Sequence, residues 1–255
     1  MKKTQLINYL NDYLKVSEFK DSSKNWLQVD NTKTEIKKIG YAVDATNYIF
    51  QKWIQENVDL ILVHHGLFRW FEQTLIDVHF ERVSSLIKND IALYACHLPL
   101  DAHEEVWNNI WLAKWFIETF NLKEYQLNRE IEYAGEKIGF WLKFNKEILI
   151  SDLEKYLKNM QLLPNLYNFW NLKAFNSIAF CSGWALSEVK QAFDNQYDIY
   201  LTWEWVHHEI TFAKDLGQTV ILGWHRETEK IWPSLLAKHL EENFDLEIVF
   251  LDEKY

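Results

Sequence analysis

The chain is short of glycine, proline and cysteine, and these shortages narrow the classes of protein that it can belong to. Its 255 residues include seven glycines, three prolines and two cysteines. Two cysteines cannot build a disulfide scaffold, so a reduced, cytoplasmic protein with buried thiols is expected. A glycine-rich phosphate loop, a G-x-S-x-G turn and a C-x-x-C pair are all missing from the sequence. Their absence argues against P-loop nucleotide hydrolases, α/β-hydrolases and thioredoxins.

Long apolar runs and excess positive charge are missing as well. No stretch approaches the roughly 20 apolar residues that a membrane-spanning helix needs. The N-terminal segment has an amphipathic pattern, with Leu6, Ile7 and Leu10 between polar residues, and does not resemble a signal peptide. A net charge of −10 argues against a broad surface for nucleic-acid phosphates. We therefore expect neither a membrane nor a nucleic acid as partner.

Short aliphatic runs alternate with helical patterns, which predicts an α/β protein with mixed sheets flanked by helices. Residues 38–43, 45–58 and 59–64 read as strand, helix and strand, and the same order recurs from residue 177. We predict two similar α/β lobes, at 1–120 and 176–255, joined by a connecting or inserted region at 121–175. The recurrence also suggests a loose internal duplication.

Histidines and acids cluster where three predicted strands end. In open α/β sheets the carboxyl ends of strands are where ligands bind, so these side chains are expected to share one site. Imidazole and carboxylate are the ligands of zinc, iron, manganese or nickel, and five such groups suffice for two ions. The five candidate ligands are His64, His65, Asp101, His225 and Glu229. For His64 and His65 taken alone, one core and one surface histidine remains an open alternative.

Four further residues are candidates for other roles near this site. His97 follows a strand and precedes Asp101, so it is a candidate general acid or base, or a support for a ligand. Glu204 follows another strand and is a weaker candidate for proton transfer. His207 and His208 would begin a helix, and we interpret them as partly exposed helix residues rather than ligands.

Several segments resemble the Nif-three-like dinuclear-metal proteins, often called GTP cyclohydrolase 1 type 2 homologues. They are VDAT (43–46), LVHHG (62–66), NDIALY (89–94), HLPLDAH (97–103) and HRETE (225–229). The likeness runs from about residue 25 to 250 and is weakest in the middle. It implies a toroidal homohexamer of two-lobed subunits with two divalent ions between the lobes. The family's ligand positions fall on the five residues already selected by their place at strand ends.

Two functional hypotheses follow from these patterns and this resemblance. The first is a hydrolase of a small, nucleotide-like substrate, in which two metal ions activate water and His97 and Glu204 assist proton transfer. The alternative is a non-enzymatic metal-binding ring with a structural, metal-handling or partner-regulating role. A saturated coordination shell would favour the second hypothesis, because catalytic sites keep a position open.

Tryptophan replaces glycine at positions where the resembled family usually has glycine. The chain has 13 tryptophans against seven glycines, and bulky side chains at such turns are expected to clash or strain the backbone. We hypothesise that many of these residues are encoded by a stop codon that the source cell reads as glycine. TGG codons at these sites in the coding DNA would contradict this. The positions are Trp26, Trp70, Trp107, Trp184, Trp203, Trp224 and Trp232.

Overall fold

The computed structural model describes residues 1–69, 73–106, 108–159, 165–223 and 231–250, and it confirms the α/β class. The chain forms two compact units. Unit 1 comprises residues 1–106 and 232–255, and unit 2 comprises residues 107–231. Each unit is built on its own mixed sheet with helices packed against it.

The helices and strands follow one another in an alternating order. The first half contains α1 (Lys3–Tyr13), β1 (Trp26–Val29), β2 (Lys38–Asp44), α2 (Asn47–Gln55), β3 (Leu60–His65), α3 (Asp77–Lys88), β4 (Ala92–Ala95), α4 (Leu98–Asp101) and α5 (Asn108–Thr119). The second half contains β5 (Tyr125–Tyr133), β6 (Glu136–Leu149), α6 (Ile150–Asn159), β7 (Asn165–Tyr167), β8 (Ala174–Phe180), α7 (Val189–Asp194), β9 (Ile199–Thr202), α8 (His207–Leu216), β10 (Thr219–Leu222), α9 (Ile231–Asn243) and β11 (Glu247–Phe250).

The sheet of unit 1 has the strand order β1-β4-β3-β2-β11. Strands β11, β2, β3 and β4 run parallel, and β1 is antiparallel to β4. Leu60 to Val63 of β3 are all buried, as expected for an aliphatic strand covered on both faces. Because β2, β3 and β4 are parallel, their carboxyl ends meet at one edge of the sheet.

Unit 2 does not follow the predicted boundaries. Its sheet has the order β5-β6-β8-β9-β10-β7, so residues 121–175 supply three of its six strands instead of a connecting region. β5 has an almost entirely polar or exposed pattern, which hid it from sequence reasoning. The last helix and strand belong to unit 1: Leu236 and Leu240 of α9 lie in its core, and β11 pairs with β2.

The expected duplication has a structural counterpart in how the two units begin their β-α-β segments. In unit 1, Asp59 before β3 accepts hydrogen bonds from the backbone N–H groups of Lys37 and Lys38. In unit 2, Asp198 before β9 accepts them from Asn176 and Ser177. In each unit, one carboxylate before a parallel strand thus binds the backbone of the neighbouring strand, at the start of β2 in unit 1 and within β8 in unit 2.

Two expectations drawn from missing features can be compared with the described residues. Among these, no helix combines the length and the apolar character that a membrane crossing requires. Cys96 and Cys181 are both free thiols and buried, as predicted.

Four of the tryptophans at family glycine positions lie in the described part of the chain, which are Trp26, Trp184, Trp203 and, in α9, Trp232. None of Trp26, Trp184 and Trp203 has a positive φ, so the expected backbone strain is not found there. Trp203 is buried, and its ring covers Gly223, where a Cβ would come within 2.5 Å of the indole. Trp26 and Trp184 are about half exposed.

Candidate metal centre

The parallel strands of unit 1 carry a group of histidines and acids at their carboxyl edge. His64 and His65 end β3, and His97 follows β4 by two residues. Asp101 closes the short helix α4, which begins directly after His97 and has a proline in its first turn. The strands end at the same edge, so residues separated by more than 30 positions in the sequence lie together.

Three imidazoles converge at this edge. His64, His65 and His97 each offer a ring nitrogen within 4.8 Å of the others. The ring centroids of His64 lie 4.6 Å from His65 and 5.1 Å from His97. His64 is buried, and the other two are partly exposed, so the cluster has one side open towards solvent. The structure therefore adds His97 to the His-His pair that the sequence analysis had placed here.

The Nδ1 atoms of the first two histidines are held by groups that accept hydrogen bonds. His64 Nδ1 lies 2.9 Å from the carbonyl oxygen of Cys96. His65 Nδ1 lies 2.8 Å from Oδ1 of Asp44, its partner in the parallel register of β2 and β3. A carbonyl and an ionised carboxylate can only accept, so each Nδ1 carries a proton, and in the neutral imidazole each Nε2 then has the lone pair. Ligand histidines are commonly oriented in this way.

His97 is held in the same manner by an acid from a distant part of the chain. Its Nδ1 lies 3.0 Å from Oδ2 and 3.1 Å from Oδ1 of Asp21. Burial alone would raise the pKa of Asp21, but the hydrogen bond and charge of His97, with further donors from Ser23 and Asn25, lower the pKa to about 2. Asp21 is therefore ionised at neutral pH and accepts the Nδ1 proton of His97.

The contact between His64 and Asp101 tests whether a metal fits these residues. His64 Nε2 lies 3.4 Å from Asp101 Oδ2, and both side chains are almost fully buried. With the proton on Nδ1, this contact brings two lone pairs together unless His64 gains a second proton. A divalent cation held by His64 and Asp101 would remove the repulsion, since metal–ligand bonds of about 2.0 to 2.2 Å place neighbouring ligand atoms roughly this far apart. The donor set fits zinc or a related transition metal.

A single segment, residues 21–28, forms hydrogen bonds with His97 and with the residues just after His64 and His65. At one end Asp21 and Asn25 contact His97. At the other end the Gln28 side chain accepts hydrogen bonds from the backbone N–H groups of Leu67 and Phe68, just after the His-His pair. Gly66 permits this close approach, because a Cβ there would lie 2.4 Å from Gln28 Nε2 and 2.5 Å from Ala95 Cβ.

The remaining predicted residues are distributed as follows. His225 and Glu229 lie outside the described residues. Glu204 is exposed after β9 in unit 2. His207 and His208 are exposed in the first turn of α8, which agrees with their interpretation as helix residues.

Sequence reasoning missed the residues that orient the histidines. Asp44 lay in a segment quoted for the family resemblance, but it was given no role. Asp21 and Asn25 lie in a polar stretch without apolar periodicity, 76 and 72 positions from their partner His97. The one available signal was an Asp at the end of β2, beside the strand that carries the His-His pair.

Comparison with known proteins shows which family and fold the chain resembles. The family model described as Duf34/NIF3 (NGG1p interacting factor 3) matches residues 1–255. A protein of Archaeoglobus fulgidus named GTP cyclohydrolase 1 type 2 homolog is 31% identical over 252 residues, covering 99% of this chain and 98% of its own. The solved structure of TTHA1606 from Thermus thermophilus has a TM-score of 0.84 and 32% identity, covering 100% of this chain and 99% of its own. That of protein ybgI, titled as of unknown function, has a TM-score of 0.88 and 27% identity, covering 100% and 99%.

Proposed function

The chain belongs to the Duf34/NIF3 family, and from that premise we propose that it is a metal-dependent hydrolase of a small, nucleotide-like substrate. The observation that carries the proposal is the convergence of His64, His65 and His97, whose Nδ1 atoms are all held by acceptors. With each Nδ1 engaged, Nε2 is the ring nitrogen that each neutral imidazole can offer to a ligand. Imidazoles prepared in this way are suited to binding a cation or to accepting a proton.

We propose that two divalent ions, of zinc, iron, manganese or nickel, are held by five residues. Two such ions, when bound, lower the pKa of a coordinated water and polarise the bond under attack. His64, His65 and Asp101 are supplied by the described edge of the unit 1 sheet. His225 and Glu229, outside the described residues, complete the set on the strength of the family resemblance.

The chain's own residues would orient the substrate and transfer protons. In the neutral ring whose Nδ1 donates to Asp21, Nε2 of His97 has the lone pair and would accept a proton from an attacking water. Glu204 is the weaker candidate for a second proton carrier. The partly exposed side of the cluster gives a small molecule a way in.

The name of the Archaeoglobus fulgidus relative suggests GTP as the first substrate to test. We further propose that the chain forms a homohexamer, as the resemblance implies, and that it acts in the cytoplasm. Apolar side chains on α3 support assembly, because Val78, Phe80 and Ile87 are each more than half exposed to solvent. The two buried free thiols are consistent with a reducing compartment.

The metal content of the purified protein tests the proposal. We expect about two ions per chain in the wild type, as a dinuclear site requires. His65→Ala should lose at least one of them, because an imidazole ligand is removed. His208→Ala, which removes an exposed histidine at the start of α8, serves as the control and should keep both. Elemental analysis after dialysis, with folding checked by circular dichroism, gives the counts.

Activity then separates the two functional hypotheses. The loaded wild type is incubated with GTP and other nucleotides, and the products are separated by chromatography beside those of Asp101→Ala. Turnover lost in the variant supports the hydrolase. Two bound ions without turnover of any nucleotide would favour the non-enzymatic ring, and the absence of metal from wild type would contradict both.

A further inference from the structure

We propose that Asp21 is a positioning residue, which holds His97 in a single tautomer with the Nε2 lone pair directed at His64 and His65. The use of that lone pair in catalysis rests on the function proposed above. The position of the proton on the ring does not, because it follows from contacts within unit 1 alone.

The surroundings of the Asp21 carboxylate fix the direction of its hydrogen bond to the ring. Its side chain is only 2% exposed. Oδ1 accepts from Ser23 N–H at 2.9 Å, and Oδ2 accepts from Asn25 Nδ2 at 2.8 Å and from Leu98 N–H at 3.0 Å. Every group that faces the carboxylate in these contacts is a donor, so it is stabilised as an anion. A proton on His97 Nδ1 extends this pattern, whereas a lone pair there would oppose a buried negative charge.

The backbone of His97 is held by the same segment. Its N–H donates to Asn25 Oδ1 at 2.6 Å, while the ring donates to Asp21. The segment is itself anchored, because Lys24 N–H donates to the carbonyl oxygen of Phe68 at 3.0 Å. Because one anchored segment binds both the backbone and the ring of His97, the imidazole has little freedom to rotate.

Asp21 acts through His97 and not on the metal cluster directly. Its contacts are with Nδ1 of the ring, so Nε2 is the nitrogen that remains for the cluster. Asp44 has the matching role towards His65 on the neighbouring strand. The two partly exposed histidines are therefore each oriented by a carboxylate, and the buried His64 by a carbonyl.

Nitrogen-15 spectra of the imidazole rings test the inference on metal-free protein. Protonated and unprotonated ring nitrogens give well-separated signals, and comparison with His97→Gln assigns those of His97. In wild type at pH 8 we expect Nδ1 protonated and Nε2 unprotonated. Asp21→Asn places an amide NH₂ among donors and should abolish this single state, giving the other tautomer or an exchange average. Asp30→Asn makes the same charge change elsewhere in unit 1, where Asp30 pairs with Lys3, and should leave the His97 signals unchanged.

The outcomes decide the inference whether or not the protein proves to be a hydrolase. A wild-type His97 that carries its proton on Nε2 would overturn it, and so would an Asp21→Asn spectrum identical to that of wild type. Asp21→Ser replaces the first variant if that one does not fold, and if neither folds, the wild-type tautomer alone decides. If loaded wild type has turnover, Asp21→Asn should lower it by about 10- to 100-fold, the usual effect of removing the partner of a site histidine. Absence of turnover in wild type would count against the hydrolase and leave the tautomer result standing.

Discussion

Asp59 shows how much one carboxylate can stabilise the start of a parallel sheet. It accepts hydrogen bonds from the backbone N–H groups of Lys37 and Lys38. Its Oδ1 also forms an ion pair with Lys33 Nζ at 2.6 Å. Burial raises the pKa of Asp59, but the hydrogen bonds and the charge of Lys33 hold it below the usual value. The folded state therefore favours the ionised form.

We expect Asp59→Asn to lower the free energy of unfolding at pH 7 by about 1 to 3 kcal/mol, the range for hydrogen bonds to a charged group. The contribution is fully present above the unfolded pKa, about 3.9, and is lost as pH falls below it towards the lower folded value. The difference between wild type and variant should therefore shrink below about pH 4. Urea unfolding at pH 7 and pH 3 measures it, with exposed Asp245→Asn as the control. A difference that is constant with pH would contradict the argument.

Single residues of the candidate site were predictable where local pattern carried the information. His64, His65 and Asp101 stood out because they follow short aliphatic runs with the pattern of buried strands. Asp21 and Gln28 did not, because their importance depends on pairing with residues far along the chain. A single sequence records no such pairing, and the two residues lie in a stretch whose polar composition is typical of loops.

At the scale of elements, Gly66 governs how closely segment 21–28 approaches the end of β3. A Cβ at this position would meet the Gln28 side chain and the Cβ of Ala95 on β4 at 2.4 to 2.5 Å. Gln28 can rotate away, but Ala95 Cβ is fixed to the strand backbone. We expect Gly66→Ala to cost about 1 to 3 kcal/mol of stability, as overpacking usually does. Amide exchange at Leu67 and Phe68 should become faster, because Gln28 is displaced from them.

Hydrogen exchange followed by mass spectrometry and urea unfolding together measure this effect. Gln28→Ala is the matched comparison, because it removes the hydrogen-bond acceptor without adding bulk. It should raise exchange at the same two amides and cost less stability than Gly66→Ala. Equal stability of wild type and Gly66→Ala would show that segment 21–28 moves away from β3 without a cost in free energy.

The strand, helix and strand predicted at residues 38–43, 45–58 and 59–64 are found at Lys38–Asp44, Asn47–Gln55 and Leu60–His65. The failures have a common cause. β1 and β5 are edge strands, and most of their residues are exposed or only half buried, so no apolar alternation marks them. The predicted lobe boundaries failed for this reason, because β5 and β6 together extend the second sheet where a linker had been expected.

At the scale of the whole molecule, the proposed hexamer gives a direct measurement. Light scattering coupled to size exclusion should give six times the 30.7 kDa mass of one chain. Phe80→Glu places a charge among the exposed apolar side chains of α3 and should shift the protein to smaller species, if that face forms contacts between subunits. A monomeric wild type would contradict the assembly, and a hexameric variant would place the contacts elsewhere.

Unit 1 combines residues 1–106 with residues 232–255, and this has a consequence for its biosynthesis. β2 ends near residue 44, but its neighbour β11 begins at Glu247. At about 5 to 20 residues per second, a ribosome needs roughly 10 to 40 s to make the intervening chain. Throughout that interval the edge of β2 lacks its strand partner, a state that invites pairing with other nascent chains. Unit 2, whose strands all lie between residues 125 and 222, can finish folding first, so chaperone demand should fall mainly on the N-terminal part of the nascent chain.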